Sequence, residues 1–377
     1  MKQLYYNGNI VSNGKTFKGQ VLVNDGIIEK VMDISASDDA TSPLPPVDEK
    51  IDLKGNFLLP GFIDTHIHGF GGHGTDTQNP QDLLDMSIDL AKNGVLAFAP
   101  TLYPAPPAKM LKTLEEFSEI IGKEKGAKII GLHLEGPFIS PSKLGAMLPQ
   151  DICPIDIKLM EKLYKASGGY LKAMTVAPEL EGIEELAKFA KENKITLQAG
   201  HTDATYREMM RGADLGIRHI THLFNAMRGL NHRELGAAGA ALLEDIFSVE
   251  IIADGKHFSP LLFKMIFKLK EPSKIVLITD SINPTGKQEG AANGEQVYLS
   301  DGIFKKKATD VIAGSSLTML KGFQNLVAAG FGIENASLAS SVNPARLYGL
   351  DFGSIEEGKK ANFIMLDKEL NLIGKGV

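Results

Sequence analysis

The sequence predicts an α/β fold: a closed (β/α)8 barrel of the TIM type, with a small β-sandwich domain formed by both chain ends. Three observations carry this reading. Eight apolar, β-rich runs, at 58–66, 95–100, 128–134, 171–177, 195–200, 217–222, 248–254 and 275–280, alternate with stretches of helical spacing. Strands alternating with helices make parallel βα units. The eight units fill roughly 290 residues, which suits a closed barrel, with a doubly wound open sheet as the weaker rival. Outside them, both ends read as short strands joined by tight turns.

In chain order, residues 1–57 form the first part of the small β domain. Short strands are expected at Leu4 to Tyr6, Ile10-Val11, Gly19 to Val23 and Ile27 to Met32. The pairs Asn7-Gly8, Asn13-Gly14 and Asp25-Gly26 separate them, because these residues accept the positive φ of hairpin turns. The polar, Pro-rich stretch Ser35 to Glu49 reads as a surface loop. The barrel occupies 58–345. Its helical segments include Gln81 to Asn93 before Gly94, Pro107 to Lys125 before Gly126, and Gly182 to Lys194. After the eighth run, Gln296 to Leu299, Asp301-Gly302 and Ile303 to Lys306 read as an inserted hairpin, followed by a final helix from Leu317 to Ala329. Residues 346–377 return to the small domain, with a turn and strand from Gly358 to Leu366.

Composition excludes several function classes. The 377 residues are 43% hydrophobic and 23% charged with a net charge of -6, an ordinary globular balance whose mild acidity argues against nucleic acid. No apolar run reaches the roughly 18 residues of a membrane span, and Met1 to Tyr6 lacks the apolar core of a signal peptide, so a cytoplasmic location is expected. The lone Cys153, beside Pro154, has no internal partner, and packing is its expected role.

The chemistry lies at the strand ends, where barrels of this type carry their sites. Run one ends in His66 and His68, run three in Glu135, run five in His201, run six in His222 and run eight in Asp280. The His-x-His spacing points both rings to one face of a strand, so they can grip one cation. Each residue alone would pass for a loop cap. Six converging on one barrel mouth point to metal, because clustered imidazoles and carboxylates are costly without a cation. Nitrogen and oxygen donors without thiolate suit zinc or iron, and manganese less well. A divalent ion makes hydroxide available at neutral pH, and Asp280, alone on the last strand, suits a proton shuttle. Hydrolysis of an amide or related C–N bond follows. Among the other histidines, His133 lies one layer deeper and is expected to support the ligands, His219 has the opposite parity to His222 and is expected to face the helices, and His257 follows strand seven at the mouth.

These residues together resemble the amidohydrolase superfamily, and more closely the N-acetylglucosamine-6-phosphate deacetylases. The motifs are Pro60 to Gly69, His133 to Phe138 (HLEGPF), Gly200 to Ala204 (GHTDA), Thr221 to Met227 (THLFNAM), Ala253 to His257 (ADGKH), Thr279-Asp280 and Gly314 to Met319 (GSSLTM). The resemblance implies that Glu135, His201 and His222 are the principal metal ligands and that His66 with His68 complete a second site, giving two ions per subunit. Other superfamily members bridge their metals with a carboxylated lysine on strand four. Lys172 lies at the wrong end of that strand, and Glu135 is implied as the bridge.

For a sugar-phosphate substrate, the resemblance implies contacts from Ala146, Met147, Asn225, Ala226, Asp254, His257 and the loop Ile312, Ala313, Gly314 and Ser315. It also implies a homodimer in which Arg233 meets the phosphate across the subunit interface. Met147 departs from the family, which usually has a His or Gln there; a thioether offers no comparable hydrogen bond. Asn362 replaces an aspartate common in the terminal strand motif. The implied reaction is deacetylation of N-acetyl-D-glucosamine 6-phosphate. N-acetylgalactosamine 6-phosphate is the alternative, and a metal-free scaffold a third reading.

Overall fold

The computed structural model describes residues 1–35, 46–77 and 79–376. Most of the expected loop from Ser35 to Glu49 lies outside the described residues.

Eight parallel strands form the barrel: Phe62–Ile67, Val95–Leu102, Leu132–Glu135, Leu171–Val176, Thr196–Ala199, His219–Ile220, Ser248–Ile252 and Ile275–Ile278. They are strands one to eight below, and each pairs with the next. Strand one is buried at every residue, which is why its sequence reads as an apolar run rather than an alternation. Two runs are divided. The first splits at Gly61: Phe57–Pro60 pairs antiparallel with Phe363–Leu366 in the terminal sheet, and only Phe62 onward joins the barrel. A Cβ at Gly61 would meet Leu96 Cδ1 at 2.2 Å, so glycine lets the chain cross there. The third run splits at Gly131, whose φ of +145° separates Lys128–Ile129 from Leu132–Glu135.

Strands eight and one share no regular ladder. At the C-terminal end of the strands they are joined by Asp280 N to His66 O at 2.9 Å and His68 N to Ser281 O at 2.9 Å. Toward the opposite end, the helical segment Leu338–Tyr348 ties strand eight to the segment just before strand one, with Asn343 Nδ2 donating to Ile275 O at 2.7 Å and Ser341 Oγ to Pro60 O at 3.3 Å. Buried Asp64 adds a side-chain link, accepting from Thr279 Oγ1 at 2.6 Å.

Strands from both chain ends form one seven-stranded sheet with its own core, in which Tyr5 and Phe363 meet edge to face. Asn13-Gly14 and Asp25-Gly26 make the expected turns, with φ positive at all four residues. Asn7-Gly8 does not. It is a bulge inside one long strand, Lys2–Ser12, where a Cβ on Gly8 would clash with Leu53. The inserted hairpin is part of a larger four-stranded antiparallel sheet, Glu289–Ala292, Glu295–Ser300, Ile303–Lys306 and Ile312–Ser315. The helix expected to end at Lys125 stops at Ser118, while the last barrel helix, Met319–Ala328, starts at a Thr318 cap. Among the described residues, no helix is long and apolar enough to cross a membrane.

Candidate metal centre and active site

Glu135 ends strand three with its carboxylate at the centre of the barrel mouth. Its Oε1 lies 2.9 Å from His201 Nε2 and 2.8 Å from His222 Nε2, and its Oε2 lies 3.0 Å from His68 Nε2. His66 Nε2 is 3.5 Å from Oε1. Asp280 Oδ1 closes the ring, 3.5 Å from His68 Nε2 and 3.6 Å from His66 Nε2. Three overlapping sets, His66/His68/Glu135, Glu135/His201/His222 and His66/His222/Asp280, each place their donor atoms within 4.8 Å of one another.

The backbone turns these side chains inward at a cost. His201, His222 and Asp280 follow the last paired residues of their strands with φ of +46°, +27° and +49°, a left-handed region that costs an L-residue about 1–3 kcal/mol and clusters at functional sites. Electrostatics holds the cluster together. Burial opposes ionisation of Glu135, yet the facing His66 and His201 rings hold its carboxyl well below the usual carboxylate range. Burial likewise disfavours charge on His66 and His201, but Glu135 overrides it and raises both.

The donors fit a divalent cation. His66 Nε2 is buried without a hydrogen-bond partner, while its Nδ1 is engaged 3.1 Å from Glu250 Oε2, leaving one ring nitrogen to be satisfied by a ligand. Two imidazole nitrogens, of His201 and His222, lie 3.2 Å apart against one carboxylate oxygen. Nitrogen and oxygen donors without thiolate match the zinc and iron preference read in the sequence.

Residues 57–375 match the family model described as the amidohydrolase family. The chain is an enzyme of the amidohydrolase family. Its resemblance to the N-acetylglucosamine-6-phosphate deacetylases is borne out. A protein of that name from Bacillus subtilis (strain 168) is 34% identical, covering 97% of this chain and 93% of the relative. An N-acetylgalactosamine-6-phosphate deacetylase from Escherichia coli O157:H7 is 30% identical, with 94% and 92% covered. Among solved structures, the N-acetylglucosamine-6-phosphate deacetylase of Thermotoga maritima superposes with a TM-score of 0.87 at 32% identity, covering 99% of this chain and 97% of that one. A Mycobacterium smegmatis mutant of the same name, solved in complex with N-acetyl-D-glucosamine-6-phosphate, gives 0.89 at 27% identity, with 100% and 97% covered.

In this amidohydrolase a cavity of about 270 Å³ opens onto the donor cluster. Ala146, Met147, Asn225, Ala226, His257, Ile312, Ala313 and Gly314 line it, together with His68, Glu135, His201, His222 and Asp280. Asp254 stands behind the wall, its Oδ2 2.6 Å from His257 Nδ1, which turns the other ring nitrogen free for the cavity. Ser315 is buried beneath, donating Oγ to Thr279 O and its backbone N to Asp280 O. Arg233 is not brought to the cavity of its own chain; it lies on the exposed loop 229–233. Lys172 sits near the start of strand four with Nζ on Gly169 O, far from the donors' end of the strand.

His133 supports from below. Its nitrogens meet Thr101 Oγ1 at 3.1 Å and Thr175 Oγ1 at 2.9 Å, and burial first, then His66, pushes its pKa well down. His219 departs from expectation. It does not face the helices; its Nε2 lies 3.3 Å from Glu250 Oε1. Parity counted back from His222 fails because His222, at φ +27°, has already left the strand.

Two site residues escaped the sequence reading. Tyr103 stacks on the His68 ring with centroids 3.8 Å apart and 7° between planes, a pairing no linear signal reveals. Glu250 sits fully buried in strand seven, and a lone acid within Val249 to Ile252 was the available clue.

Proposed function

We propose that this amidohydrolase hydrolyses the acetamide of N-acetyl-D-glucosamine 6-phosphate, giving D-glucosamine 6-phosphate and acetate, in a metal-dependent reaction. The observation that carries the reading is Glu135, the residue common to two sets of clustered donors, His66/His68/Glu135 and Glu135/His201/His222, with Oε1 toward His201 and His222 and Oε2 toward His68. These residues would hold divalent ions, zinc or iron and two per subunit, with Glu135 belonging to both sets. Ions held there supply Lewis acidity, lowering the pKa of water and polarising a carbonyl.

The protein's own part is proton traffic and substrate placement. Asp280, only partly buried and beside the His66/His68 pair, takes the proton of the attacking water and delivers it to the departing amine. His257, oriented by Asp254, lines the cavity with Asn225, Ala226 and the loop residues Ile312 to Gly314, and these residues are proposed to hold the sugar, with Ser315 supporting the loop from beneath. Arg233 is proposed to reach the phosphate of a neighbouring subunit in a homodimer, which accounts for its exposure here. A second reading keeps the chemistry and changes the epimer to N-acetylgalactosamine 6-phosphate, the substrate named for the Escherichia coli relative.

A panel of N-acetylhexosamines with and without 6-phosphate, read by acetate release, tests both. The highest kcat/KM should fall on N-acetylglucosamine 6-phosphate. Preference for the galacto epimer would establish the second reading, and equal turnover of unphosphorylated sugars would remove the phosphate site.

A further inference from the structure

A glutamate in the middle of strand seven is an expensive residue. Glu250 is fully buried between Val249 and Ile251, where an uncompensated carboxylate would strongly destabilise the fold. Its compensation is specific. Oε2 faces His66 Nδ1 at 3.1 Å and accepts the backbone N–H of His222 at 3.2 Å; Oε1 faces His219 Nε2 at 3.3 Å. One carboxylate therefore touches a ring from the His66/His68 half of the centre and the main chain of a residue from the other half.

We infer that Glu250 is a positioning residue for the metal centre: it fixes His66 as the Nδ1–H tautomer, directs the bare Nε2 at an ion, and is itself locked by His219. The inference rests on the proposed metal reading.

The tautomer follows from donor and acceptor inventory. An ionised carboxylate only accepts, so the hydrogen between it and His66 must sit on Nδ1, and once an ion displaces any proton from the other nitrogen the neutral ring presents the Nε2 lone pair. That nitrogen is the one buried without a hydrogen-bond partner, 3.5 Å from Glu135 and 3.6 Å from Asp280. The same rule places a hydrogen on His219 Nε2. His219 Nδ1 then accepts from the hydroxyl of Ser248, 2.7 Å away, so the chain Ser248, His219, Glu250, His66 has one consistent direction of donation. Partners that orient a ligand histidine in this way are worth about 10–100-fold in metal affinity.

The test compares two substitutions. Glu250→Gln keeps an acceptor oxygen for His66 Nδ1 and His222 N and turns its amide toward His219, which can reverse because the Ser248 hydroxyl also accepts. Glu250→Leu removes every acceptor. After equilibration of the full-length, zinc-loaded protein against a competing chelator, Glu250→Leu should lose the same ion that His66→Ala loses, with affinity there down about 10–100-fold. Adding Glu250→Leu to His66→Ala should cost nothing more at that site, and Glu250→Gln should retain the ion. Long-range 1H–15N spectra of the zinc-loaded protein provide a second readout that stands even if Glu250→Leu does not fold. His66 should carry its hydrogen on Nδ1 in parent and Glu250→Gln, while the His219 hydrogen moves from Nε2 to Nδ1 in the variant. Full ion retention by Glu250→Leu, or a His66 hydrogen on Nε2 in the parent, overturns the inference. A failure of the metal reading shows separately, as a parent protein or a His66→Ala variant whose ion content does not match two sites.

Discussion

Asp280 donates its backbone N–H to the carbonyl of His66 at 2.9 Å, and that bond closes strand eight onto strand one. It also fixes the acid's side chain 3.6 Å from the ring of the same histidine. Closure of the barrel and placement of the proposed proton shuttle are thus one feature, and Asp280 can be altered at the side chain without touching it. Asp280→Asn should keep fold and metal content while kcat falls by about 10² or more, the loss expected when general base catalysis is removed. Steady-state kinetics with metal analysis of the same sample checks this.

Metal binding should release protons. In the metal-free protein His66 and His201 titrate above the usual histidine range because, against the effect of burial, Glu135 favours their charged forms. The sign follows from linkage. Raised values mean that these pairings stabilise the fold fully below about pH 6.5 and stop doing so as pH rises through the folded values. An ion must displace those protons, so affinity should climb with pH near neutrality. Calorimetry of zinc binding at pH 7 in buffers of different ionisation enthalpy should show net proton release. An enthalpy independent of buffer would contradict it.

Phosphate recognition is tested at Arg233. Its exposure within one chain predicts that Arg233→Ala leaves stability and metal content unchanged. KM for the phosphorylated sugar should rise by the equivalent of about 1.5–3 kcal/mol, the range of a charge-assisted hydrogen bond. Mixing Arg233→Ala with Asp280→Asn should recover activity in heterodimers, since one site regains both groups.

Met147 is nearly buried, in a cluster with Tyr103, Ile139, Ile282 and Ala313, and faces the cavity. If the substrate is the one proposed, Met147→His should support at least the parent kcat, because a ring N–H there can donate to the developing oxyanion. Loss of activity on the best substrate would mean that the pocket is shaped around the thioether.

The alternation of apolar runs announced the barrel because parallel strands covered on both faces leave that pattern. The candidate site was equally legible, since His66, His68, Glu135, His201, His222 and Asp280 all fall at the ends of the apolar runs, and the structure brings them together. What the sequence hid depends on distance or on local departures from regularity. His66 and Glu250 are 184 residues apart, and nothing local joins them. His219 was assigned to the wrong face because His222 breaks the strand's parity. Asn7-Gly8 has the chemistry of a turn, but pairing on both sides of it makes one bulged strand. Arg233 would have read as a solvated charge, and only the resemblance singled it out.

The central claim is a metal-dependent deacetylation, and acetate release from N-acetyl-D-glucosamine 6-phosphate tests it most directly when the same preparation is assayed as purified, after chelation, and after stepwise return of zinc or ferrous iron. Activity should vanish on chelation and return in proportion to occupancy, reaching its plateau near two ions per chain. Acetate release that persists at full rate in protein shown to hold no metal would contradict the account.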